Sequence, residues 1–203
     1  MKVSRAEAAQ NRERIIETAA RLFRERGFDG IGVADLMKAA GLTHGGFYGN
    51  FTSKEDLMAQ ACARALAGSV DTLRELARDH PEQALAAAAA AYLSPAHRDH
   101  PGEGCALAAL GAEAGRHPGA VQAAFTEGVR PVVEILTQLA PGESEGEQRK
   151  HALVVYASMV GAMVLARAVD DAALSDEVME AVLGSIVRAP ARKREGADCP
   201  APS

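Results

Sequence analysis

The chain has no tryptophan, three cysteines, and only three tyrosines and five phenylalanines among 203 residues. With so few rings, most of the core must be aliphatic. Five of the aromatics, Phe23, Phe28, Phe47, Tyr48 and Phe51, fall in the first quarter of the chain, so a small ring-filled unit precedes a larger aliphatic one. Cys62, Cys105 and Cys199 are odd in number, widely and unequally spaced, and form no CxxC pair. That excludes a disulfide framework and a structural zinc module. His97, His100 and Cys105 have a ligand-like spacing but no clear fourth donor, so neither a metal nor a cofactor is expected. No apolar run reaches the roughly 18 residues of a membrane span; the longest, Ala152 to Ala166, is broken only by Ser158 and reads as a buried helix, with no membrane partner. The first thirty residues mix charge with apolar periodicity, so no export signal is expected and a cytoplasmic location follows as an expectation. An excess of positive charge is also missing: 22 Lys and Arg against 27 Asp and Glu give a net charge of −5, which excludes a uniformly basic nucleic-acid coat.

The charge is unevenly placed. Met1 to Glu55 carries nine basic and seven acidic residues, and Asp56 to Ser203 carries thirteen and twenty, so any anionic partner belongs at the N-terminus. Apolar positions at the helical period predict a first helix from Ala6 to Arg26, with Arg12, Arg14, Arg21 and Arg24 on its other face. A second runs over Val33–Ala40 and stops at Gly41, a residue that tolerates the left-handed conformation of a helix end. Thr43 is placed to cap a short third helix. Ser53-Lys54-Glu55-Asp56 is a capping box opening a long fourth helix. An alanine-rich helix is expected over Glu82–Leu93, a Pro/Gly-rich loop over Ser94–Gly104, and helices over Cys105–Arg116 and Pro118–Leu139, the latter kinked or divided by Pro131. Two apolar helices, Glu147–Val169 and Leu174–Val187, close the fold and suggest an intermolecular bundle. No strand is convincing. The reading is all-α: a small ring-filled helical unit over 1–55, a larger helical unit over 56–188, and a disordered tail over 189–203.

The order of the first three helices is that of a helix-turn-helix, in which one helix braces against phosphates and the next enters the major groove. The block Gly41-Leu42-Thr43-His44-Gly45-Gly46-Phe47-Tyr48-Gly49-Asn50-Phe51-Thr52-Ser53-Lys54-Glu55-Asp56-Leu57, preceded by Gly27-Phe28 and Val33-Ala34-Asp35-Leu36, closely resembles the DNA-binding region of the tetracycline-repressor (TetR) family of bacterial transcriptional regulators. The resemblance covers about residues 10 to 60. It implies phosphate contacts by Tyr48 and Lys54, for which a hydroxyl and an ammonium are chemically apt. Thr43 and His44 stand where base edges would be read, Gly45 and Gly46 permit close backbone approach to DNA, and Arg12 is a further phosphate candidate. The sequence departs from the family at Ile31-Gly32, where a capping hydroxyl is usual.

For the remainder the resemblance implies fold only: a dimer through the last two helices and an effector pocket among the middle ones. Cys105, at an expected helix N-terminus, is the pocket candidate for an oxidant or electrophile sensor. Tyr92, Leu107, Leu110, Phe125, Tyr156, Met159 and Met163 are the other candidates. The function expected is a dimeric DNA-binding regulator, a repressor of a pseudo-palindromic operator released by a small molecule or oxidant, and not an enzyme. Two alternatives are a helical dimer acting through protein partners without DNA, and an enzyme using Cys105 with His97 or His117 as base.

Overall fold

The computed structural model describes residues 4–188; the tail expected over 189–203 lies outside them. Among the described residues there are nine α-helices, two short 3-10 turns and no strand. The helices are α1 (Arg5–Arg26), α2 (Val33–Ala39), α3 (Lys54–Asp79), α4 (Ala84–Tyr92), α5 (Pro95–Asp99), α6 (Ala106–Ala114), α7 (Ala120–Leu139), α8 (Glu145–Ala168) and α9 (Ala172–Val187).

Local chemistry sets most of the boundaries. α1 opens on a reciprocal capping box: Ser4 Oγ accepts the Glu7 N–H at 3.2 Å and Glu7 Oε2 accepts the Ser4 N–H at 2.8 Å. Ser53 caps α3 by accepting the Asp56 N–H at 3.0 Å. Gly41 takes φ 71° just past α2, which a side chain would resist. Ser144 and Asp171 cap α8 and α9, which start at Glu145 and Ala172, two residues ahead of the expected starts. The Ser94–Gly104 segment is not a plain loop: Ser94 caps α5, and Pro101–Glu103 forms a 3-10 turn. Nor does Pro131 divide α7, which stays continuous because Val121 and Phe125 are buried on one side of the proline and Val132, Val133 and Leu136 on the other.

Two hydrophobic clusters result. The first gathers Phe23, Phe28, Phe47 and Phe51 with α3's first half, and also takes in Ala106, Leu110, Val121 and Phe125 from α6 and α7. The second joins Val70 and Leu73 of α3 to α4, α7, α8 and α9. Helix α3 runs through both and so links them. Its crossing with α7 depends on Gly128, where an added Cβ would lie 2.5 Å from Leu66 Cβ. Gly128→Ala therefore forces the two helices apart. Overpacking of this kind costs about 1–3 kcal/mol, and a lowered urea midpoint is the expected result.

Candidate nucleic-acid interface and effector cavity

At the N-terminal pole, α2 leads through Gly41 and Leu42 to the expected short third helix, which is a 3-10 turn over His44–Gly46. Thr43 occupies the cap position without a side-chain hydrogen bond. The reason is local, since Gly45, Gly46 and Gly49 weaken helix here by about 1 kcal/mol each against alanine. Asn50 Nδ2 instead donates to the Gly46 carbonyl at 2.7 Å and closes the turn.

Phe47 and Phe51 turn inward with ring centroids 5.5 Å apart, and this pins the segment to the core. Tyr48, between them, is 72% exposed. A tyrosine that far out contributes little to the fold. It stacks edge-on against Phe47 at 5.2 Å and against His44 at 6.2 Å, so Thr43, His44, Gly45 and Tyr48 form one outward face. Lys54 Nζ donates to the Phe28 carbonyl at 2.5 Å and thus ties the start of α3 to the α1–α2 turn. Arg12 lies over the Phe51 ring at 5.1 Å and donates to Gln60 Oε1 at 2.5 Å. Gln60 in turn donates to Asp56 at 2.6 Å. The two cations are therefore held at the rim of this face rather than projecting freely. Ile31 is buried, and Gly32 begins α2 with no side-chain cap.

A cavity of about 370 Å³ lies among α3, α4, α5, α7 and α8. Tyr92, Cys105, Tyr156 and Met159 line it; Leu107, Leu110, Phe125 and Met163 do not. Leu110 and Phe125 belong to the first cluster, Met163 to the second, and Leu107 packs against both. Helical periodicity marks an apolar face without saying whether a cavity or a neighbour fills it, which is why the pocket and core residues were not separable. The same limit hid Leu73 and Leu76 of α3, which form part of the wall.

His97 is fixed from both sides. Its Nδ1 donates to the Tyr92 carbonyl at 2.6 Å, and its Nε2 accepts the Cys105 N–H at 2.9 Å. A carbonyl can only accept and an amide N–H can only donate, so the ring is the neutral Nδ1–H tautomer. No lone pair is left to deprotonate the Cys105 thiol or to bind a metal. His117 stacks on Phe28 at 5.3 Å, in the first cluster. Among the described residues no group of three or more His, Cys, Asp or Glu is arranged to hold a metal ion. Burial, reinforced by Arg167 and Arg24, lowers the His97 pKa from its ordinary 6.5. The unfolded chain then binds the proton more readily than the folded one. This stabilisation is complete above about pH 6.5 and is lost as pH falls below it toward the folded pKa. Denaturation midpoints followed from pH 7.5 to 5 are expected to fall, and His97→Gln to flatten that fall.

Burial pushes the Cys62 thiol up to about 12, which leaves it a neutral packing group. Tyr92 and Tyr156 are likewise raised by burial and keep their protons.

The cavity wall reaches α1 directly. Arg24 Nη1 donates to the Gly104 carbonyl at 2.6 Å. Gly102 is buried against α1, where a Cβ would stand 2.5 Å from Glu25 Oε1. On the opposite side Arg167 of α8 donates through Nε to the Arg98 carbonyl at 3.1 Å and through Nη2 to the His97 carbonyl at 2.5 Å. Arg98 pairs with Asp176 of α9 at 2.6 Å. A polar path thus runs from α9 through α5 and the cavity wall to α1. These partners are far apart in sequence and carry no local signal.

The family model for "Bacterial regulatory proteins, tetR family" matches residues 15–61, which span the outward face and its ring core. Over nearly the whole chain, the crystal structure of Escherichia coli NemR in its reduced form superposes with a TM-score of 0.73 at 26% identity, covering 87% of this chain and 96% of that one. The chain belongs to the TetR family. In sequence, the HTH-type transcriptional repressor NemR of E. coli strain K12 is 29% identical over 166 residues, covering 77% of this TetR-family chain and 83% of NemR. The uncharacterized HTH-type transcriptional regulator YerO of Bacillus subtilis is 33% identical over 70 residues, which span 34% of this chain and 24% of YerO. This TetR-family protein is a DNA-binding transcriptional regulator.

Proposed function

We propose that the protein is a homodimeric repressor of a two-fold symmetric operator, held by Thr43, His44, Gly45, Gly46, Tyr48, Lys54 and Arg12 and released when the cavity is occupied or Cys105 is oxidised. Repression and a redox response rest in part on NemR, a named repressor whose structure is of a reduced form. The observation that carries the reading is the contact of one wall with both ends: segment 94–105 lines the cavity and hydrogen-bonds α1 through Gly104 and Arg24. An occupant that moves this wall moves α1, and an effector favouring one arrangement shifts the equilibrium between them.

The dimer reading has its own support. Val154, Ala157, Gly161, Val164 and Ala168 are exposed on α8 at alternating spacings of three and four, with Leu153 and Leu165 beside them. That is the seam of a helix packed on a helix. Leu174 on α9 extends the apolar surface. Length and composition alone would let α8 cross a membrane, yet the apolar exposure follows one stripe and the opposite side is buried against α7 and α9, as a partner helix requires.

Oxidation of Cys105 by peroxide transfers one oxygen to sulfur, giving a sulfenic acid and water. The test is release of a bound operator duplex by hydrogen peroxide. Wild type is expected to dissociate and Cys105→Ser to stay bound; equal release from both would remove the thiol from the mechanism.

A further inference from the structure

The cavity is mostly apolar, with Leu73, Leu76, Val132, Leu136 and Met159 on its walls. At its α4–α5 end the chemistry changes. Tyr92 Oη is buried and is left without a hydrogen-bond partner among the described residues, with the Cys105 thiol close enough to help hold its proton on. Arg167 Nη1 is also buried and without a partner. Its guanidinium lies directly behind the cavity-lining Gly104, with Nη2 3.2 Å from where a Gly104 Cβ would be. Arg167 binds two backbone carbonyls but, among the described residues, forms no salt bridge. The nearby Asp99 is engaged by Arg98 at 2.8 Å, and Glu103 is exposed at the cavity mouth.

A buried donor without an acceptor at one end of an apolar chamber is costly, because a buried polar group left unpaired loses its water without replacement. An acceptor in the chamber satisfies Tyr92, and an anionic one is also attracted by the Arg167 guanidinium behind Gly104. We infer that the cavity takes a compact apolar ligand of roughly two fused rings, bearing a single carboxylate that accepts from Tyr92 Oη at the end backed by Gly104 and, behind it, Arg167. This rests on the reading of the cavity as the effector site and names its ligand class.

The test uses the full chain and two matched probes, 2-naphthoate and 2-naphthylmethanol, with binding followed by calorimetry. Wild type is expected to bind the carboxylate at least tenfold more tightly than the alcohol. Tyr92→Phe is expected to lose about tenfold for the carboxylate and less than twofold for the alcohol. Because its hydroxyl has no partner to lose, this variant should melt no lower than wild type, so weaker binding will not reflect misfolding. The inference is overturned if the alcohol binds as tightly, if Tyr92→Phe binds the carboxylate unchanged, or if neither probe binds. Operator release is scored in parallel. Carboxylate binding with DNA retained sinks the effector reading alone, whereas release by peroxide with no probe binding sinks the ligand class alone.

Discussion

Gly161→Arg is expected to yield a folded monomer that no longer holds its operator. Gly161 sits mid-seam on α8, and nothing lies within 4 Å of the position its Cβ would take. Arginine therefore fits the isolated chain, and it favours helix over glycine by about 1 kcal/mol. Against a second α8 it places a long charged side chain where two backbones must approach closely. Sedimentation is expected to show half the wild-type mass with undiminished thermal stability. A single reading head then loses the second half-site. Linkage of two binding modules raises affinity by roughly 100- to 10,000-fold, so operator binding is expected to weaken at least a hundredfold. A Gly161→Arg protein that remains dimeric would place the interface elsewhere.

The second large effect belongs to the outward face. Tyr48→Ala combined with Lys54→Ala removes from each subunit the two groups proposed above to contact phosphate, four in a dimer. At about 1 kcal/mol net for each hydrogen bond, the expected loss is roughly a thousandfold, since about 1.4 kcal/mol is tenfold. The slope of log affinity against log salt is expected to flatten by nearly two, from two lost ammonium contacts. Lys54 also holds the Phe28 carbonyl, so part of the double variant's effect comes through a loosened α1–α2 turn. Tyr48→Phe separates these. With 72% of Tyr48 exposed, loss of its hydroxyl should leave the melting temperature unchanged and weaken DNA binding alone. Unchanged binding by a folded double variant would move the DNA face away from this pole.

The course of the chain was legible wherever structure is set by neighbours in sequence. Ser53 and Asp56 announced the start of α3, Gly41 the end of α2, and the four early phenylalanines the ring-filled core of the first unit. Most of what failed depended on distant partners. Residues 94–104 read as a loop because their order comes from Arg167 and Arg24, arriving from α8 and α1. Pro131 is expected to kink or divide its helix, and it does not divide α7 because its neighbours are buried on both sides. Leu110 and Phe125 read as pocket residues because an apolar face looks the same whether it meets a cavity or the rings of the first cluster. The short third helix is a 3-10 turn for a local reason that the sequence did show, three glycines in five residues, which outweighed the cap offered by Thr43.

Selection of binding sites from a random duplex pool at physiological salt, where nonspecific phosphate attraction is weakened, tests the central claim most directly. The predicted result is enrichment of a two-fold symmetric motif whose half-sites lie one helical turn or a multiple of it apart. No enrichment by protein shown to be folded and dimeric would contradict it.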